Sequence, residues 1–296
     1  MNLAKKTVFA FAAAAAAATA AISQRGLARW RAVELEREDP SYNSDVPPEA
    51  RFTVAVLGGL RGVVSEFLRI HASNLQREGK YVELAQLSAW LTQLDPHSAD
   101  TWSVAAWNMA YNIAATTDVP SEKWRWVEAG LKLLRDDALR INPRDPALHY
   151  ELLWLFLGKV NGTLDDSGEY FNSTWRGIVT EAASRGDWAS LGMDYALMQR
   201  VDEAYGPLDW ADPVSSALYW GEDGLEKTTP EFSERLRMGI GLCLIAKVRA
   251  DPSYAERSLA ALEALSARGA RSVPLEEMAQ TIRDFLAERD AAGAGK

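Results

Sequence analysis

The densest run of side chains equipped for chemistry is Trp102-Ser103-Val104-Ala105-Ala106-Trp107-Asn108-Met109-Ala110-Tyr111-Asn112. Flat indole and phenol rings beside amide donors suit stacking and hydrogen bonding to an extended ligand. The other reading of the same run is that its rings pack between helices. A second constellation joins Gly206-Pro207-Leu208-Asp209-Trp210-Ala211-Asp212-Pro213 to Ala217-Leu218-Tyr219-Trp220. A proline-bounded loop against aromatic residues either locks a long connection or forms the rim of a ligand site. Trp124-Arg125-Trp126 carries the same two readings, with cation–π stacking as the structural one.

Residue patterns that break bonds are missing. No Gly-x-x-x-x-Gly-Lys-Ser/Thr loop occurs, and Gly58-Gly59-Leu60-Arg61-Gly62 leads into a helical pattern with no strand before it, which suits a hinge or helix start better than a phosphate cradle. His71, His97 and His149 stand singly, without a His-Glu-x-x-His pair. His71 reads as an inward-facing core residue and His97 as a turn residue. His149-Tyr150-Glu151 are adjacent and so do not face one way on a helix. Asp165-Asp166 and Asp136-Asp137 read as solvated faces or loop residues. Cys243 lies in the apolar run Ile240–Ile245 and reads as a buried, inert thiol. Asn161-Gly162-Thr163 and Asn172-Ser173-Thr174 match the glycosylation pattern, which carries meaning only in a eukaryotic secretory protein. No catalytic residue, metal site or cofactor is expected.

The elements that must position these groups are helices. From Arg51 onward no alternating strand-like run of useful length appears. Helices are expected over Leu60–Glu78, Tyr81–Leu94, Ala99–Ala115, Ser121–Arg140, Pro146–Lys159, Glu169–Arg185 and Asp187–Glu203, with Ser121 as an N-cap. Further helices follow from Pro213 to Gly224, from Pro230 to Ala250, over Ser253–Ala267, and from Pro274 to Arg289. Gly79 ends the first helix, and Asp95-Pro96 and Ile141-Asn142-Pro143 close two successive units.

Before these helices, Met1-Asn2-Leu3-Ala4-Lys5-Lys6 is a short basic start to the apolar run Thr7–Ile22, in which ten of sixteen residues are alanine. That is the layout of a secretory signal, cleaved near Ala18-Thr19-Ala20, or of an uncleaved anchor a little shorter than the ~20 residues that span a bilayer. Residues 1–23 are read as signal peptide or signal-anchor and 24–50 as a juxtamembrane linker. Residues 51–163 and 164–290 are read as two stretches of helical hairpins, and 291–296 as a disordered tail. The net charge of −9 and the lack of a long basic stripe argue against nucleic acid. A single cysteine excludes an intrachain disulfide, and the eleven tryptophans read first as wedges between helices.

Gly79, Tyr81, Glu83, Asp95-Pro96, Trp102 and Asn142-Pro143 give Leu60–Lys159 its resemblance to tetratricopeptide (TPR) units. The second unit is stretched, with 47 residues from Pro96 to Pro143 against the ~34 of a standard repeat. The chain is also similar to an uncharacterised group of bacterial membrane-anchored TPR-like proteins. The stretches that carry this are Gly58–Gly62, Ala106–Ile113, and Leu208-Asp209-Trp210 through Tyr219-Trp220. The resemblance implies an all-α fold, a solenoid of TPR-like α-α hairpins in a right-handed superhelix behind the N-terminal hydrophobic segment. The hairpins after residue 164 are diverged.

In TPR proteins one face of each unit's first helix lines a concave groove. Carried over by the Pro96 and Pro143 anchors, that layout places Arg69, Ser73 and Arg77, then Ser103, Trp107 and Tyr111, then Tyr150 and Trp154 on the groove, with Asn108 and Asn112 flanking it. Aromatic shelves beside Arg and Asn donors suit an extended peptide or a C-terminal carboxylate. The paired Lys/Asn pattern of carboxylate-clamp TPRs is absent. The expected function is a scaffold without catalysis, tethered by one pass to a bacterial cell membrane with the bulk of the chain extracytoplasmic. It would hold a protein or peptide partner in an envelope complex. The alternative is a polysaccharide-binding or glycan-processing helical protein with a Trp-rich cleft.

Overall fold

A computed structural model of the chain describes residues 61–162 and 165–294. The hydrophobic N-terminal segment, the juxtamembrane linker and the tail beyond 294 lie outside the described residues. Among those described, every regular element is helical and none is a strand. Eleven helices follow one another: α1 Arg61–Arg77, α2 Tyr81–Leu94, α3 Ala99–Trp107, α4 Pro120–Lys132, α5 Pro146–Trp154 and α6 Gly168–Arg185, then α7 Tyr195–Tyr205, α8 Pro213–Lys227, α9 Glu234–Ala250, α10 Ala255–Ala267 and α11 Val273–Ala294. Three of them run on into π-helical turns, α3 through Asn108–Ile113, α4 through Leu133–Ala138 and α5 through Leu155–Val160. No helix among the described residues is long and apolar enough to cross a membrane. The chain divides into two compact units, one ending at Thr101 and one beginning at Trp102.

In the first unit, Leu68, Ala72 and Leu75 of α1 pack on Tyr81, Leu84, Leu87 and Leu91 of α2. The hairpin is closed by Gly79, whose φ of +70° a Cβ would disfavour. Gly79 N–H donates to Gln76 O and Lys80 N–H to Leu75 O, satisfying carbonyls that α1 would otherwise leave bare. His71 is exposed, not inward-facing, because it sits at the edge of the stripe that Leu68, Ala72 and Leu75 define.

The second unit is built around α8, in which Pro213 through Leu225 are all buried. A helix buried on every side must satisfy its polar groups internally. Trp175 Nε1 accordingly donates to Ser216 Oγ, and Tyr205 Oη to the Glu222 carboxylate at 2.8 Å. Arg268 meets that carboxylate at 2.6 Å. Asp223 takes His149 Nε2 at 3.0 Å and Lys227 at 2.7 Å. Both nitrogens of His149 face acceptors, the other being Asp145 O at 2.9 Å, so this is an enclosed structural imidazolium. The α9 residue Arg237 is fully buried and donates to Leu265 O and Ala270 O, clasping the C-terminal end of α10.

Two boundaries differ from expectation. Pro120, not Ser121, opens α4, with extended Val119 as its cap. The single helix expected over Asp187–Glu203 is a 3-10 turn, Trp188–Leu191, followed by α7, because Asp194 accepts from Leu197 N–H and starts a new helix.

One local device recurs. Asp95 ends α2 with φ −133° and ψ 67°, and Asn142 ends the extension of α4 with −125° and 61°. Each donates to the carbonyl four residues back and accepts from the N–H three residues on, and each precedes a proline, which disfavours helical backbone. Asp251-Pro252, between α9 and α10, forms the same pair of bonds, to Lys247 O and from Tyr254 N–H.

Candidate functional site

Trp107, the last residue of α3, and Tyr111, in the π turn that follows, stack with ring centroids 4.5 Å apart and planes inclined by 24°. Tyr150 and Trp154 on α5 repeat the arrangement at 6.5 Å and 11°. Both pairs have the four-residue spacing that places side chains on one helix face. What brings the pairs together is the widened backbone of two π turns, which steps a helix out of its normal phase. In the second of these turns Lys159 comes to lie 4.8 Å over the Tyr111 ring and 5.7 Å over Phe171. The Trp154 side chain lies beside the Tyr111 oxygen without completing a hydrogen bond. At the far end, the Arg235 guanidinium of α9 covers the Tyr150 ring at 4.0 Å. The result is a strip running Trp107, Tyr111, Trp154, Tyr150, Arg235, with 42% of Trp107 exposed at its outer end.

The charges beneath the strip are paired. Lys159, only 3% exposed, donates to Asp165 at 2.5 Å, and Lys123 stands 3.7 Å from the same carboxylate. Burial would push Asp165 up, but the Lys159 hydrogen bond and Ser167 N–H outweigh it and hold the carboxyl below its ordinary range. Burial raises Glu151, against the opposing pull of Arg235 at 3.4 Å. Burial, and after it the Glu151 charge, pushes Tyr111 up to about 12, so the phenol is neutral and its enclosed hydroxyl is left without a partner. The arrangement can stack flat groups, donate hydrogen bonds and meet an anion at Arg235.

Four of the nine residues expected at the groove, Trp107, Tyr111, Tyr150 and Trp154, therefore form one feature. Ser103 is half-buried on α3. Asn108 is turned inward, 2% exposed, and its Oδ1 accepts from Asn112 Nδ2. Arg69, Ser73 and Arg77 belong to the first unit. There Arg69 donates to Asp95, Ser98 and Thr101, while Arg77 bonds Asn74 Oδ1 and Ser73 O on its own helix. Sequence reasoning missed Lys159, Glu151, Arg235 and Phe171, and took Asp165 for a solvated residue. The one available signal was Lys159 itself, an ammonium inside the apolar run Leu152–Val160.

The other aromatic constellations are structural. Leu208 N–H donates to Asp202, Ser215 Oγ to Asp209 O and Tyr254 Oη to Pro207 O, which pins the loop with its cis Gly206-Pro207 bond, and Tyr219 and Trp220 are buried. Trp124 is buried against Phe171. Cys243 is fully buried, and burial pushes its thiol up, away from thiolate. A shallow pocket lined by Trp188, Met193, Asp194 and Tyr195 belongs to the turn between α6 and α7 and shares no residue with the strip. Among the described residues, no group of three or more His, Cys, Asp or Glu side chains is placed to hold a metal ion. Comparison with models of protein families, with curated proteins and with solved structures finds no match.

Proposed function

We propose that the chain is a non-catalytic scaffold, a TPR-like solenoid tethered to a bacterial membrane by its N-terminal segment, that holds an extended segment of a partner protein on the strip from Trp107 to Arg235. The observation that carries this reading is the strip itself: two stacked aromatic pairs from different helices, joined end to end and open at Trp107. Large rigid rings with few rotatable bonds are the usual anchors of protein interfaces. The solenoid part is supported by the turn that recurs at Asp95-Pro96, Asn142-Pro143 and Asp251-Pro252, since a repeated closing device is what stacked hairpins need. The tether is supported by the basic-then-apolar layout of residues 1–23.

The test is affinity capture from membranes with the full chain and with Trp107→Ala and Arg235→Glu. Both side chains are largely exposed, so both variants should fold. A partner retained by the parent chain and lost from both variants is the expected result. Retention by both removes the strip from the interface. Capture of an oligosaccharide in place of a protein favours the glycan-binding alternative.

A further inference from the structure

On the reading that the strip holds an extended peptide, we infer that the peptide is a proline-rich segment in the polyproline II conformation, with an acidic residue at the Arg235 end. Three features point there. The first is shape. Helices whose side chains meet lie about 8–10 Å apart, and one turn of polyproline II advances about 9 Å, so rings on neighbouring helices match its repeat. Flat pyrrolidine rings then seat against the Trp107–Tyr111 and Tyr150–Trp154 pairs, as in other aromatic-lined grooves.

The second feature is hydrogen bonding. An indole N–H, an ammonium and a guanidinium can only donate, and the buried Tyr111 hydroxyl is a donor lacking a partner. The accepting group at the strip, the Glu151 carboxylate, is already faced by Arg235. A polyproline backbone brings carbonyl acceptors and no N–H donors, which complements such a surface. Sugar hydroxyls each bring a donor as well, and an ordinary peptide brings an N–H at every residue, so both fit it less well. The third feature is charge. The Arg235 side chain is 60% exposed, in a chain of net charge −9, and offers a cation at one end of the strip only. A carboxylate on the ligand sets the direction in which the segment lies.

Fluorescence anisotropy on the full-length chain tests this with four labelled probes. They are an octaproline ending in two aspartates, an octaproline ending in two lysines, a Gly-Ser peptide of the same length ending in two aspartates, and chitohexaose. The acidic octaproline should bind at least about tenfold more tightly than the other three. Trp107→Ala should weaken it by about tenfold or more, and Arg235→Glu should abolish the preference for aspartate over lysine. Equal binding of the Gly-Ser peptide overturns the proline assignment and leaves the peptide strip standing. A preference for the lysine-ended probe overturns the charge assignment. Binding of chitohexaose alone, binding of no probe, or indifference to Trp107→Ala overturns both the inference and the reading beneath it.

Discussion

Tyr111 illustrates how one residue can be placed for a ligand at the expense of the free fold. Its hydroxyl is buried and unpartnered, a state that costs about 1–3 kcal/mol. Tyr111→Phe should therefore leave the free protein as stable or more stable in urea denaturation, while weakening binding of a carbonyl-bearing peptide at the strip. Loss of stability would mean that the hydroxyl already has a structural role. Asp165 works in the other direction. Its carboxyl is held low by Lys159 and Ser167 against the opposing effect of burial, and Asp223 is held low in the same way by His149 and Lys227. A folded value below the unfolded one gives stability that is present above the unfolded range, about pH 4, and lost as pH falls through the folded values. Thermal melts should therefore drop steeply below about pH 4, and Asp165→Asn should flatten part of that drop; a melting temperature that rises on acidification would contradict the pairing.

The elements owe their placement to close approach as much as to apolar patterning. α4 lies so near α3 that a Cβ on Gly130 would stand 2.8 Å from Ala106 O and 3.3 Å from the Ala110 Cβ. Helix propensity alone would make Gly130→Ala stabilising by about 1 kcal/mol. The clash should reverse the sign and destabilise by about 1–3 kcal/mol in urea, loosening the segment that carries Trp107 and Tyr111. A more stable Gly130→Ala variant would show that α3 and α4 can separate freely. Helix ends were legible in the sequence because Gly79, Asp95-Pro96, Asn142-Pro143 and Pro213 act through local backbone chemistry. The π turns were not, because a residue's pattern of burial changes little when a helix widens by one residue. They bring Lys159 over Tyr111, and with them half of the site stayed out of view. The third closing turn, Asp251-Pro252, was plain as a helix start but not as a repeat, because it falls 109 residues after Pro143 and so matches no period.

At the scale of the whole molecule, the all-helical fold followed from the sequence without difficulty, since no stretch after Arg51 alternates as a strand would. Trp107, Tyr111, Tyr150 and Trp154 were found because the resemblance to TPR units named a face, and that face carries both stacked pairs. Arg69, Ser73 and Arg77 were drawn into the same groove by the same transfer. In the structure they belong to the first unit, with Arg69 and Arg77 each bonded to neighbours there. Everything proposed about the chain's work depends on the strip being occupied in the cell. The most direct measurement places the photo-reactive residue p-benzoylphenylalanine at position 107 of the full-length chain in its own membranes, with the exposed position Glu203 on α7 as control. Irradiation should give a protein adduct from position 107, mapped by mass spectrometry to one extended segment, that is lost with Arg235→Glu and absent from position 203. The same adducts from both positions, or none from position 107, would contradict the claim that this strip holds a partner.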